Sequence, residues 1–206
     1  MVAWFLKGGP FMWPILFVFI FGLIFVLERF FSLIKTSIQT GSFLSKINVT
    51  LKEQGVDAAL EACRNTPGSV AQIYLAGLSR AEHGANAVEK AIESAGSIEM
   101  SFLEKNMIWL STAVTLAPML GFTGTVSGMV TAFDAIAKAN DIQPALVADG
   151  ISMALLTTLF GLVVAMVIQF FQNVFTWLID RLIVRMEETS IDLLDTLDAM
   201  GTFEAK

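Results

Sequence analysis

Three long runs of this 206-residue chain hold no charged side chain: residues 8–27, 106–133 and 150–179. They are 20, 28 and 30 residues long. A helix rises about 1.5 Å per residue, so roughly 20 apolar residues cross the hydrocarbon of a bilayer. The runs therefore predict three transmembrane helices, the second and third long enough to tilt or project. The deficit of charge is general. Only 16% of residues are charged, against about 25% in an ordinary soluble domain. The first run has too long an apolar stretch for a secretion signal, and no small-residue cleavage site precedes Glu28-Arg29. It reads as a retained helix.

Lysine and arginine set the orientation, because they collect on the cytoplasmic side. Seven lie between Lys35 and Lys105, Arg29 stands at the edge of that segment, and Arg181, Arg185 and Lys206 lie in the tail. Lys7 and Lys138 alone fall elsewhere. The expected layout follows. Residues 1–34 form a periplasmic N-terminus and first span, and 35–105 a cytoplasmic helical loop. Residues 106–133 form the second span, 134–149 a periplasmic connection, 150–179 the third span, and 180–206 a cytoplasmic amphipathic helix. The fold class is thus all-α integral membrane protein, with long cytoplasmic helical extensions.

The cytoplasmic loop has helical spacing at Val56, Ala59, Leu60 and Cys63. Pro67-Gly68 and the turn around Gly84 punctuate it. A last helix from Ala87 is expected to run straight into the second span. In the tail, Ile179, Leu182, Ile183, Met186, Leu193, Leu194 and Leu197 form an apolar stripe that must pack on another helix. Glu28 and Arg29 are expected to pair at the inner end of the first span.

Several function classes are excluded or disfavoured. One cysteine, Cys63, and one histidine, His83, make neither an internal disulfide nor a metal site. Cys63 reads as a buried helix residue and His83 as a solvated turn residue. A net charge of −6 argues against nucleic acid. No nucleophile–base set or phosphate loop suggests an enzyme. Three spans without internal charge or repeat make a self-sufficient transporter a poor fit.

The second and third runs carry small and hydroxyl residues on one face each. Gly121, Thr125 and Gly128 fall within about 100° on a helix; Gly150, Ala154, Thr158, Gly161 and Ala165 fall within about 80°. Pro118 removes a backbone donor and predicts a kink. Small residues let helices approach closely in lipid, so both faces could be packing surfaces. Depth adds a second reading. Thr125 stands nine residues before Asp134 and Thr158 nine after Asp149. Both hydroxyls then lie about 14 Å below the outer surface, near the midplane, with Thr157 one residue shallower. Hydroxyls contribute little as glue, about 0.6 kcal/mol each on average. They serve better as neutral lining for an ion path, yet neither span supplies the usual intramembrane carboxylate.

These residues resemble a known family. "APMLGFTGTVSGMVTAF" (117–133) looks like the second-span motif of the MotA/TolQ/ExbB family, with Pro118, Gly121, Gly124, Thr125 and Gly128 in its Pro-x-x-Gly-x-x-Gly-Thr-Val-x-x-Gly core. "DGISMALLTTLFGLVVAM" (149–166) resembles the last-span motif, and "LERFFSL" (27–33) the first-span exit. The resemblance implies a homopentamer around two copies of a single-span ExbD/TolR/MotB-like partner that carries an essential membrane Asp. Ion flow would then drive mechanical work through a TonB-like protein, the Tol system, or a gliding or flagellar apparatus. Three spans point to the ExbB/TolQ branch of a bacterial inner membrane. By motif, Thr125 and Thr158 match pore-facing threonines; Pro118, Gly121, Gly124, Gly128, Ala154 and Gly161 belong to packing or pore faces. That branch usually has Glu where this chain has Met153. The Thr157-Thr158 pair is similar to sodium-driven members, so Na⁺ near these two residues stands second to a proton as the transported ion. No cofactor is implied. A non-conducting membrane scaffold is the alternative of a different class.

Overall fold

The computed structural model describes residues 2–139 and 144–202. Among the described residues six α-helices follow one another: α1 (Val2–Lys7), α2 (Met12–Arg64), α3 (Ser69–Leu78), α4 (Ala85–Glu104), α5 (Met107–Ala139) and α6 (Pro144–Ala199), with a 3₁₀ turn at Ala81–His83. No strand occurs among the described residues. Among them three helical stretches are long and apolar enough to cross a membrane. The protein is an all-α integral membrane protein.

The chain divides into two compact units. One comprises residues 1–29 and 106–174; the other comprises 30–105 and 175–206. In the first, α2 buries Met12, Ile15, Val18 and Val26, a helical stripe, and exposes Trp13, Phe17, Ile20, Ile24 and Leu27. Large exposed apolar side chains also cover α5 (Leu116, Phe122, Val126, Val130) and α6 (Leu155, Leu159, Met166, Phe170). In water such a surface would drive aggregation, whereas in hydrocarbon it is the expected exterior.

In the second unit, α3 is the centre. Val70, Ile73, Tyr74 and Leu78 are buried with Phe43, Ile47 and Leu51 of α2, Val88 and Ile92 of α4, and Leu182, Met186, Leu193 and Leu197 of α6. Gly77 allows this closeness. A Cβ there would lie 3.0 Å from both Ile92 Cγ1 and Leu193 Cδ2. Tyr74 Oη donates to Asn48 Oδ1 at 3.4 Å, and its ring meets Phe43 edge-on. The tail's apolar stripe thus packs within its own chain.

One feature departs from the expected organisation. The helix from the cytoplasmic loop does not run into the second span. Lys105 turns to ψ 138 and Asn106 to φ 66, which ends α4 before α5 begins. Asparagine tolerates the left-handed region better than most residues, and Asn106 Nδ2 holds the site by donating to Glu28 Oε2 at 3.2 Å. Glu28 thereby has a hydrogen-bond partner in Asn106, and its charge also acts on the adjacent Arg29, as expected. The helices extend beyond the charge-free runs: α5 continues to Ala139 and α6 starts at Pro144, a residue suited to a first helical turn, so helix occupies both ends of the expected 134–149 connection. Residues 140–143 of that connection lie outside the described residues. Within α2, Gly55 (φ 85, ψ −177) interrupts the helix just before the Val56–Cys63 stretch.

His83 is exposed and Cys63 fully buried. Burial pushes the Cys63 thiol up to about 11. Burial, with the charge of Asp192 and then Cys63, pushes the Tyr74 phenol up to about 12. Both are acids kept neutral in the folded unit. Their contribution is complete below their ordinary values and is lost as pH rises through 11 and 12, because the unfolded chain ionises first. Helix content followed against pH is expected to hold to about pH 9 and fall above it. A Cys63→Ala, Tyr74→Phe variant is expected to move that fall to higher pH.

Candidate functional site: a hydroxyl pair between α5 and α6

The small-residue faces of α5 and α6 lie against each other. A Cβ added at Gly150 would sit 2.5 Å from Ala132 Cβ, and one at Gly128 would sit 3.0 Å from Ala154 N. One at Gly124 would sit 2.5 Å from Thr157 Oγ1, and one at Gly161 would sit 2.5 Å from Ala117 O. As the α5 numbers fall the α6 numbers rise, so the helices are antiparallel. Glycine and alanine bring the backbones together, because nothing larger fits between them. At Gly121 a Cβ would lie 2.9 Å from Thr157 O and 3.1 Å from Thr158 Cα. Gly121, Gly124, Gly128, Ala154 and Gly161 all take part in this packing and are buried. Pro118 lies half-buried within α5 without ending it; the donor it lacks would have met the Val114 carbonyl.

The three threonines divide into two kinds. Thr157 is 0% exposed. Its Oγ1 donates within its own helix, 2.8 Å from Ala154 O and 3.3 Å from Met153 O, while its side chain presses on Gly124. Thr125 and Thr158 are half-buried, and their hydroxyls are hydrogen-bonded directly to each other across the helices. Thr158 Oγ1 donates to Gly121 O at 3.1 Å. Thr125 Oγ1 lies 3.2 Å from Ala154 O and 3.3 Å from Gly121 O. Two hydroxyl protons thus face three acceptor directions, and the pair has two senses. Thr125 donates to Thr158, which donates to Gly121 O; or Thr158 donates to Thr125, which donates to Ala154 O.

This arrangement gathers neutral oxygens: two hydroxyls and two carbonyls. Such oxygens suit a hard cation or a water chain. The same two spans hold no Asp, Glu, Lys, Arg or His between Asn106 and Phe133 or between Gly150 and Ile179. Among the described residues no cluster of three or more His, Cys, Asp or Glu side chains could hold a metal. The site can orient and solvate, and it has no group of its own to take up a proton.

Met153 is half-buried on α6, and its thioether end lies against Gly9 in the turn between α1 and α2, where φ is +73. The sequence patterns did not bring out this contact, nor the hydrogen bond from Gln172 Nε2 to Ser111 Oγ at 2.7 Å, nor that from Gln169 Nε2 to Asn173 Oδ1 at 2.7 Å. Amides inside a charge-free run were the available signal for the last two.

The model of the MotA/TolQ/ExbB proton channel family matches residues 65–188. A Methanothermobacter thermautotrophicus protein named as a biopolymer transport ExbB homolog is 32% identical over 184 residues, covering 89% of this chain and 65% of its own length. A Synechocystis protein named as ExbB-like 3 is 25% identical over 185 residues, covering 89% of this chain and 88% of its own. The Tol-Pal system protein TolQ of Haemophilus influenzae is 36% identical over 76 residues, 37% of this chain and 33% of that protein. The chain thus spans 65% of the length of the first of these relatives, less than two thirds of it. With the family match covering more than half of the residues, the chain belongs to the MotA/TolQ/ExbB proton channel family.

Proposed function

We propose that the protein is the ion-channel subunit of an inner-membrane motor, driven by the proton motive force. Its family consists of channel and transducer subunits, not enzymes. In this reading five copies surround a single-span partner of the ExbD/TolR type, with the N-terminus outside and the C-terminus in the cytoplasm. The Thr125–Thr158 pair meets the ion or its waters on the way to a membrane Asp of the partner. The mechanical output goes to a TonB-like protein or to a Tol-type envelope system.

One observation carries the proposal. A pair of bonded hydroxyls is built into two spans with no titratable side chain. A proton relay commonly runs through an intramembrane carboxylate, and beside this charge-free site a second polypeptide would supply it. The work per step is modest, about 2.3 kcal/mol for each charge crossing 100 mV. Repeated steps are therefore required. Sodium is the second candidate, since hydroxyl and carbonyl oxygens are also its ligands.

A competing reading has its own observation: the small-residue faces pack α5 on α6, as a mere scaffold would require. Reconstitution separates the two. Vesicles holding this chain alone are expected to stay proton-tight, and vesicles holding it with its co-purified single-span partner to leak protons on energisation. Selective cation conduction by the chain alone would sink the proposal. So would tight vesicles with the partner present and the complex intact. Partner-dependent leak that requires Na⁺ would decide for sodium.

A further inference from the structure

The chain enters or leaves the second compact unit at Phe30, Lys105 and Phe175, and at each point it continues into one of the apolar spans. Beside each point the same three kinds of side chain share a helix face. On α2 they are Phe31, Lys35 and Ile38; on α6, Trp177, Arg181 and Val184; on α4, Phe102, Lys105 and Ile98. Each trio falls within about 60° at 100° per residue. All nine side chains are exposed, Phe31 by 69%, Phe102 by 64% and Trp177 by 59%. Arg181 Cζ lies 5.6 Å from the centroid of the Trp177 ring, and Lys105 Nζ 5.8 Å from that of Phe102.

The three cations stand at matching distances from one shared contact. Ile92 of α4 and Leu193 of α6 both lie 3.0 Å from the place a Gly77 Cβ would take, and Tyr74, one turn earlier on α3, meets Asn48 of α2. Toward the spans, Lys105 is 13 residues from Ile92, Arg181 is 12 from Leu193, and Lys35 is 13 from Asn48. That is about 18–20 Å along each helix. The neighbouring acids point elsewhere: Glu104 is about 120° round α4 from Ile98, and Asp180 about 100° round α6 from Arg181. Further along α6, every charged residue from Glu187 to Asp198 is acidic. The cations therefore mark the end of the unit next to the spans.

We infer that this end of the unit is seated in the headgroup layer of the adjoining leaflet, where Lys35, Lys105 and Arg181 bind anionic phospholipid. The six apolar side chains of the trios enter the acyl boundary. A headgroup layer suits both halves of such a face, because it takes an aromatic or aliphatic body on one side and a cation on the other. A single partner helix would cover one of the three faces, whereas a leaflet meets all three at one level. The membrane then reaches Ile38 on α2, eleven residues past the charge-free run that ends at Leu27. The inference rests on membrane insertion alone and is independent of ion flow. In the proposed orientation the leaflet is the cytoplasmic one.

The test uses the full chain in nanodiscs of equal parts phosphatidylglycerol and phosphatidylcholine, with acyl-chain bromine on one lipid or the other. Quenching of Trp177 fluorescence is read as the difference between the original and Trp177→Phe. Both brominated lipids are expected to quench it, the phosphatidylglycerol about two- to fivefold more strongly. Lys105→Gln with Arg181→Gln is expected to bring the two lipids to equality, and Lys105→Arg with Arg181→Lys to keep the difference. If neither lipid quenched Trp177, the seating would be overturned and a protein would be the cover of this face. Equal quenching in the original would overturn the assignment of anionic lipid. A preference that survived in the glutamine pair would overturn the role of the two cations.

Discussion

Thr158→Val is expected to remove most ion-driven work while the membrane complex still assembles. Valine keeps the shape and deletes the hydroxyl. The loss to folding is small. Thr125 Oγ1 still reaches Ala154 O at 3.2 Å and Gly121 O at 3.3 Å, so no buried donor is stranded. A cross-helix hydroxyl contact in a membrane contributes only about 0.6 kcal/mol. The loss to function is larger, because a hydrogen bond to a charged group is worth about 1.5–3 kcal/mol, or roughly 10- to 100-fold in rate. Thr158→Ser is expected to retain most activity. Thr157→Val supplies the contrast. That hydroxyl is closed on its own helix and fully buried, so the variant is expected to work nearly as well as the original. The measurement is proton flux or motor output at fixed membrane potential, beside native-gel mobility of the complex. Equal damage at 157 and 158 would mean that the two hydroxyls act through packing, and the ion-path role of the pair would be lost.

Adjacent threonines with different tasks show where sequence reading stops. The three spans were legible because hydrocarbon thickness dictates a length and excludes charge, and residues 8–27, 106–133 and 150–179 satisfy both conditions. The matched level of Thr125 and Thr158 was legible from counting alone. The partition between Thr157 and Thr158 was not. They differ by about 100° around the helix, and both meet α5; which one bonds across to it depends on how Gly121 and Gly124 let the helices cross. The break at Lys105–Asn106 was also hidden, since both residues are acceptable within helices and only the link to Glu28 marks the turn. Met153 illustrates the same limit. Its contact, Gly9, is far away in sequence, and no local pattern joins the two. Local physics selected the elements. Choices between neighbouring side chains needed the packing.

Gly161→Ala is expected to have the largest effect on stability of any single methyl added to the spans, and Gly22→Ala almost none. Both replace a buried glycine on a packed helix. Alanine should favour each helix by up to about 1 kcal/mol over glycine. The difference lies in what the new methyl meets. At Gly22 it meets the Cδ1 end of Ile168, a flexible tip. A rotamer change there costs about 0.5–1.5 kcal/mol, which the propensity gain offsets. At Gly161 it meets Ala117 O at 2.5 Å and Gly121 Cα at 3.2 Å. Both are backbone atoms of α5, so no rotation relieves the clash and the helices must separate. Overpacking of this kind costs about 1–3 kcal/mol, and a backbone-on-backbone clash belongs at the upper end. The separation would fall within one turn of Thr158, so the hydroxyl pair should open as the helices part. Gly161→Ala is therefore expected to lower the melting temperature in detergent and to lose ion-driven work with it, whereas Gly22→Ala should track the original in both. If Gly161→Ala kept full stability, the close crossing of α5 and α6 at this level would be wrong. If it lost stability but kept full activity, the Thr125–Thr158 contact would be dispensable to the path.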